Sequence, residues 1–241
     1  KNTALGAEAL DTCTTGAENV AVGQAALYDN NASYNVAVGR FAMRYNTTGT
    51  YNVAVGQQAL EDNTTANHNT AIGYFAGASI TTGTENTVVG SVSLATATTA
   101  SYNTAFGYKC LQVSTTAANN TACGWNALRY ATTGGSNTAV GFQALVTNTT
   151  GANNTAVGYN AGASQTTSSY NTSVGYAALN ACTTGEYNVA IGYSAGAGTT
   201  GNHNTCVGAA AGTAITTGGN NTAVGHNALE NNTTGSDNTA I

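Results

Sequence analysis

Side chains that could perform acid–base or metal chemistry are few in this chain and share no spacing. The adjacent acids Glu61 and Asp62 fit a solvated surface better than a general acid–base pair, and His68, His203 and His226 lie far apart in the sequence. Catalysis and metal binding both need several such groups in one place. We therefore predict that the protein is not an enzyme and binds neither a metal nor a cofactor.

The five cysteines follow no common pattern either. A single small thiol side chain is commonly buried as a hydrophobic residue. We predict thiols of this kind, with Cys110 and Cys123 the one pair close enough in sequence to be considered for a disulfide.

Aromatic residues, in contrast, recur at a fixed interval. The column with a spacing of 17 residues contains Tyr108, Trp125, Phe142, Tyr159, Tyr176 and Tyr193. Tyr74 stands at the same repeat position, and a second, interrupted column contains Tyr34, Tyr51, Tyr102, Tyr170 and Tyr187. Aromatic rings at strand spacing stack and stabilise a sheet. If the rings of the first column face solvent, they also form a strip that stacks on the sugar rings of a host glycan.

The elements that position these columns come from a repeat that covers the whole chain. The motif Asn-[Thr/Val]-Ala-[Val/Ile]-Gly, with occasional substitutions, opens at Asn2, Asn19, Asn35, Asn52, Asn69, Asn86, Asn103, Asn120, Asn137, Asn154, Asn171, Asn188, Asn204, Asn221 and Asn238. The spacing is 17 residues, except for two intervals of 16. Such a period predicts an all-β parallel β-solenoid in which each repeat is one coil. We expect residues 1–241 to form a single array of about 14 coils, uncapped at both ends and part of a longer fibre.

Positions within a coil are numbered from the motif Asn as position 0. Thr or Val at +1 and Val or Ile at +3 alternate with Ala at +2, so they point to opposite sides of a strand. We predict that +1 and +3 face the interior and that the Ala column faces outward. Gly at +4 predicts a corner, the Ala-Leu pair at +7 and +8 predicts a second strand, and Thr-Thr-Gly predicts the second turn.

Three further features refine this picture. The Asn column predicts a ladder of side-chain amides along the axis, and the absence of proline fits a backbone that is hydrogen-bonded throughout. Four coils have Gly at +8; in two of them, Ile80 and Ile215 are expected to fill the space, whereas Gly162 and Gly196 have no evident compensation. Coils spaced by about 4.8 Å predict a rod about 70 Å long.

Composition excludes two classes of partner. Only 6% of residues are charged, the net charge is −5 and five residues are basic, so no patch is suited to nucleic acid. No apolar run approaches the ~20 residues of a membrane span. We predict no nucleic-acid partner and no membrane insertion.

The thinness of each coil predicts self-association. A coil with two or three medium-sized apolar side chains buries little surface against the entropy of ordering the chain. A second chain that covers the Ala column would add the missing burial. We expect a parallel symmetric bundle, and specifically a homotrimer.

The repeat resembles a known type. The runs Asn137–Leu145 and Asn148–Gly151 are similar to repeats in phage tail fibres and related bacterial surface proteins, and more distantly to the head repeats of YadA-like trimeric adhesins. The resemblance implies a left-handed β-roll, packed as a trimer, in an extracellular protein that projects from a virion or a cell towards a host. The 17-residue period is longer than that of YadA-like heads, and the chain shows no neck, coiled coil or anchor.

These observations favour a structural shaft of an extracellular or viral fibre, located on a virion tail fibre or a cell surface. The alternatives are a self-assembling filament subunit, a glycan-binding solenoid and an ice-binding solenoid. The Thr-Thr pair does not favour ice binding. Adjacent residues of an extended segment point to opposite sides, so the pairs give one outward row of threonines, and a flat ice-binding array needs two.

Overall fold

The computed structural model describes all residues, Lys1–Ile241, as a parallel β-solenoid of about 14 coils of about 17 residues, without a helix. The chain divides into two compact units, Lys1–Asn120 with strands β1–β7 and Thr121–Ile241 with β8–β15. The strands are Thr3–Leu5, Val20–Val22, Val36–Val38, Val53–Val55, Thr70–Ile72, Thr87–Val89, Thr104–Phe106, Thr121–Cys123, Thr138–Val140, Thr155–Val157, Thr172–Val174, Val189–Ile191, Thr205–Val207, Thr222–Val224 and Thr239–Ala240.

Within each unit the strands pair in parallel and in chain order, with no shift of register. In the second unit, for example, Ala156 lies opposite Ala139 and Val157 lies opposite Val140. The β-branched Val and Thr favour the extended conformation of these short segments. Every repeat position therefore forms its own column along the axis, as the period predicts.

The predicted orientation of the strand was wrong, because the Ala column faces the interior. Ala139 and Ala156 are fully buried, whereas Val140 and Val157 are 37% and 36% exposed. The same alternation, with the middle residue buried, holds in strands β2–β14. The Thr/Val and Val/Ile columns at +1 and +3 therefore form the outward face of the sheet.

The prediction of two strands per coil was also wrong, because the Ala-Leu segment forms a turn. Gln143 and Leu145 have φ values of 54° and 51°, which is the left-handed region and breaks an extended segment. The segment still bonds to other coils, since the amide of Gln143 donates to the Trp125 carbonyl and that of Leu145 to the Ala161 carbonyl. Each coil thus has one strand, and its turn is hydrogen-bonded to the preceding coil and to the following coil.

The interior explains why Ala is needed at +2. Leu145 at +8 is fully buried, and the buried Leu179 packs in one cluster with Ala190 of the next strand. With only one strand and a turn in each coil, the interior is narrow. A Leu from the turn side leaves room for only a small residue on the strand side.

The four coils with Gly at +8 share one compensation. The residue at +11 reaches into the vacated space and is fully buried in each case: Ile80, Gln165, Thr199 and Ile215. A Cβ on Gly77 would lie 3.0 Å from Ile80 Cδ1, and one on Gly162 would lie 2.9 Å from Gln165 Nε2. The prediction for Ile80 and Ile215 is confirmed, and the polar residues act in the same way.

The Asn column forms the predicted ladder. The backbone amide of Asn69 donates to Asn52 Oδ1 over 2.9 Å, and Asn69 Nδ2 donates to the Gly83 carbonyl over 2.8 Å. Asn69 Oδ1 accepts in turn from the backbone amide and Nδ2 of Asn86. Each buried amide therefore links adjacent coils and closes the Thr-Thr-Gly turn.

Candidate functional site

The aromatic column forms a continuous stack in the second unit. Ring centroids are separated by 4.8 Å from Trp125 to Phe142, 5.0 Å to Tyr159, 5.1 Å to Tyr176 and 5.2 Å to Tyr193. The ring planes deviate by at most 9°. The strands beside them bring consecutive coils to this spacing, so the register of the sheet positions the rings. Five of the six predicted site residues are thus brought together.

The sixth residue, Tyr108, belongs to the first unit and is 40% exposed. The ammonium group of Lys109 lies 5.0 Å from the centre of its ring. Tyr74, at the same repeat position, packs edge-on against Phe75 with 4.4 Å between centroids.

The stacked rings present their edges to solvent. They are 38–61% exposed, yet each inner ring is covered on both faces by its neighbours. The stack ends at Tyr193, because the next coil has Ala209 at this position. Stacking of sugars on ring faces, the contact anticipated from the sequence, is therefore open only where a ring lacks a neighbour. The edges and the hydroxyls of Tyr159, Tyr176 and Tyr193 form the accessible surface.

The interrupted second column also stacks, and histidines extend it. Tyr34, Tyr51 and His68 are parallel, with centroid separations of 4.9 Å and 5.1 Å. Tyr170, Tyr187 and His203 repeat this arrangement in the second unit. The sequence placed both histidines directly before the motif Asn, and this shared position is the signal that they continue the tyrosine column.

The sequence interpretation missed the outward face of the sheet, because it placed these columns in the interior. In each unit it consists of Thr or Val at +1 and mainly Val, Ile, Leu or Phe at +3, without a charged residue. Leu5, Phe106 and Ile191 are 68%, 56% and 41% exposed. Phe106 could have indicated this orientation from the sequence, because a column that includes a Phe does not fit a narrow interior.

The residues with potential acid–base or thiol chemistry remain dispersed. No group of three or more His, Cys, Asp or Glu residues could hold a metal ion. Burial, and secondarily the neighbouring Glu61, raises the pKa of Asp62, while Glu61 accepts a hydrogen bond from Gln58. All five cysteines are free thiols, and burial raises the pKa of Cys182 and Cys206 to about 11.

None of the elements is a helix of the length and apolarity that crossing a membrane requires. Comparison with family models, with curated proteins and with solved structures finds no match.

Proposed function

We propose that the chain is the non-enzymatic structural shaft of an extracellular or virion fibre, built as a parallel homotrimer of left-handed solenoids. The observation that supports this most strongly is the uncharged outward face of Thr, Val and Ile columns. A contiguous apolar surface of several hundred Å² is unusual on a monomer and marks an interaction site. Because the Ala column is buried within the coil, a covering chain would contact the opposite side of the strand.

The area of this face limits the interface that it can form. Seven coils at about 4.8 Å, multiplied by a three-residue strand about 10 Å wide, give roughly 340 Å² for each unit. A standard interface buries about 800 Å² on each partner. The proposed trimer therefore uses the outward faces of both units, and the aromatic column at +5 remains outside the interface.

The repeat also selects the arrangement of the copies. Parallel solenoids related by rotation about a common axis place each coil beside the same coil of the neighbouring copies. Every coil then contributes the same contact, and no coil spacing has to change. Three copies, and the left-handed winding, are what the resemblance to fibre repeats implies.

Substitution of outward residues tests the trimer directly. In the variant Val140→Lys/Val157→Lys, two charges enter the centre of the proposed interface, where burial without a partner is costly. We expect light scattering to give a trimer for the native protein and a folded monomer for this variant. The control Thr150→Lys/Thr167→Lys adds the same charge at two exposed threonines of the turns that end each coil. This variant should remain trimeric. A native monomer would overturn the proposal.

One observation favours ice binding as a second candidate. Strands β8–β11 carry outward threonines at +1, Thr121, Thr138, Thr155 and Thr172, beside the outward column at +3. This face has two parallel rows of outward side chains, whereas the Thr-Thr turn has only one. In the Thr-Thr turn, the hydroxyl of Thr149 already donates a hydrogen bond to the Thr166 carbonyl. Because both functions require the same face, thermal hysteresis by a monomeric native protein would favour ice binding over the shaft.

A further inference from the structure

The stacked column Trp125, Phe142, Tyr159, Tyr176 and Tyr193, here termed the ring ladder, has a polar companion in the second unit. The residues that directly follow the first three rings are Asn126, Gln143 and Asn160, and Ser194 follows the last. The corresponding positions of the first unit hold mostly apolar or charged residues, including Ala25, Phe41, Phe75, Val92 and Lys109. The combination of a long ring ladder and a row of amides is thus particular to the second unit.

These polar side chains differ in accessibility. Asn126 is only 3% exposed, and its Oδ1 and that of Asn160 are buried without a hydrogen bond, so a ligand at the surface does not reach them. Gln143 and Ser194 are partly exposed. Their amide and hydroxyl groups can bond to a ligand rich in hydroxyl groups.

The ring ladder itself selects an uncharged, oxygen-rich ligand. No ring or amide of the strip is charged. The exposed edge of an aromatic ring carries partial positive charge, which attracts the oxygens of a neutral ligand. The hydroxyls of Tyr159, Tyr176 and Tyr193 add donors and acceptors on consecutive coils.

We propose that this strip binds an extended β-1,4-linked polysaccharide, such as cellulose or chitin, that lies parallel to the solenoid axis with one sugar beside each coil. The rise per sugar in such a chain is close to the 4.8–5.2 Å that separates the rings. Sugar hydroxyls meet the tyrosine hydroxyls, Gln143 and Ser194, and sugar oxygens approach the ring edges. This binding activity goes beyond the shaft and does not depend on trimer formation, because the ring ladder lies at the border of the outward face.

The repeat allows many weak contacts between sugars and rings to add up to a measurable affinity. Adjacent sugars of a β-1,4-linked chain present opposite edges, so the same contact recurs on every second coil. Once the first sugars bind, the next ones bind at a high effective concentration. Affinity should therefore rise with the length of the oligosaccharide until the ring ladder is filled. A site for one terminal sugar would show no such dependence.

Trp125 provides the readout, because it is the only tryptophan of the chain and begins the ring ladder. We would titrate native protein with cello- and chito-oligosaccharides of increasing length and follow Trp125 fluorescence. Retention on insoluble cellulose and chitin would be measured in parallel. We expect a fluorescence change whose apparent affinity increases with length for at least one of the two series.

Matched tyrosine variants localise the binding. Tyr159→Phe/Tyr176→Phe/Tyr193→Phe keeps the stack but removes three hydroxyls, and each lost hydrogen bond should weaken binding by a factor of about two to ten. Tyr170→Phe/Tyr187→Phe removes two hydroxyls from the other column and should bind like the native protein. Equal binding by the native and triple-variant proteins, or no binding by folded native protein, would overturn the proposal. Light scattering on the same samples reports the trimer separately, so failure of the shaft proposal is distinguishable.

Discussion

Glycine at position +4 is constrained by the neighbouring coil as much as by its own backbone. Gly158 has a φ of 133°, a value that side-chain-bearing residues rarely adopt. A Cβ at this position would lie 2.5 Å from the carbonyl oxygen of Gly175 in the next coil. The column is therefore a consequence of stacking, and its absolute regularity in the sequence follows from two independent constraints.

The substitution Gly158→Ala tests this constraint. Backbone strain of this kind costs about 1–3 kcal/mol, and the clash with a fixed carbonyl adds to it, so we expect a loss of about 3 kcal/mol or more. Thermal unfolding followed by circular dichroism measures the change. Gly219→Ala is the control, because its φ is not in the left-handed region and its Cβ would meet only the Asn202 carbonyl, at 3.1 Å. A loss no larger than that of the control would show that the coils can separate to admit a methyl group.

At the scale of the element, one coil is held by polar and apolar contacts of very different kinds. Its apolar interior is a Leu from the turn against an Ala from the strand, which is a small core. Its buried Asn bonds to the coil before it, the coil after it and its own closing turn. The Asn ladder therefore fixes the register that the small core specifies only weakly.

The variant Asn69→Ala should destabilise the protein strongly. Removal of the side chain leaves the Gly83 carbonyl and the backbone amide of Asn86 without these partners, and each buried unpaired group costs about 1–3 kcal/mol, or about 2–6 kcal/mol together. Chemical denaturation would report this loss. Asn180→Ala, at a partly exposed turn residue, is the matched control and should change stability little. Equal effects of the two variants would mean that the ladder contributes no more than a surface amide.

For the whole molecule, the outward face of the sheet is the main surface available for contact with a partner. The interior of each unit is complete within the chain, since the Ala column and the turn leucines cover each other. The outward face has no such cover within its own unit. The proposed trimer and the proposed ice-binding activity both follow from this one surface, whereas the ring ladder lies beside it and offers a separate site.

The native cysteines provide a probe of the outward face. Cys123 stands at +3 on that face and is partly exposed, as is Cys13 elsewhere in the fold. In a trimer packed through this face, we expect a thiol reagent at pH 8 to label Cys13 but not Cys123. The buried Cys182 and Cys206, with pKa values raised to about 11, should react only after unfolding.

The monomeric variant Val140→Lys/Val157→Lys serves as the reference for this experiment. It should expose Cys123, which lies opposite Val140 on the adjacent strand. Peptide mass spectrometry identifies the labelled positions. Rapid labelling of Cys123 in the native protein would argue that the outward face is open to solvent.

The period of the sequence by itself determined the columns of this fold. Once Asn, Gly and the aromatic residues recur every 17 residues, parallel stacking in register must place Asn69 beside Asn86 and Tyr159 beside Tyr176. This holds whichever way the strand faces. The solenoid class, the amide ladder and the ring stack could therefore be predicted.

Only the tertiary structure decided which side of each strand is inside. The alternation of side chains along a strand puts Ala139 and Val140 on opposite sides, but it does not say which side is inside. The choice depends on the space left by the residue across the coil, and Leu145 turns inward because Gln143 and Leu145 adopt left-handed φ values. With that volume occupied, only Ala fits opposite, and the larger Val is directed to the surface. The same stacking that forms the ring ladder covers its ring faces, so the contact available to a ligand was also decided by packing between coils.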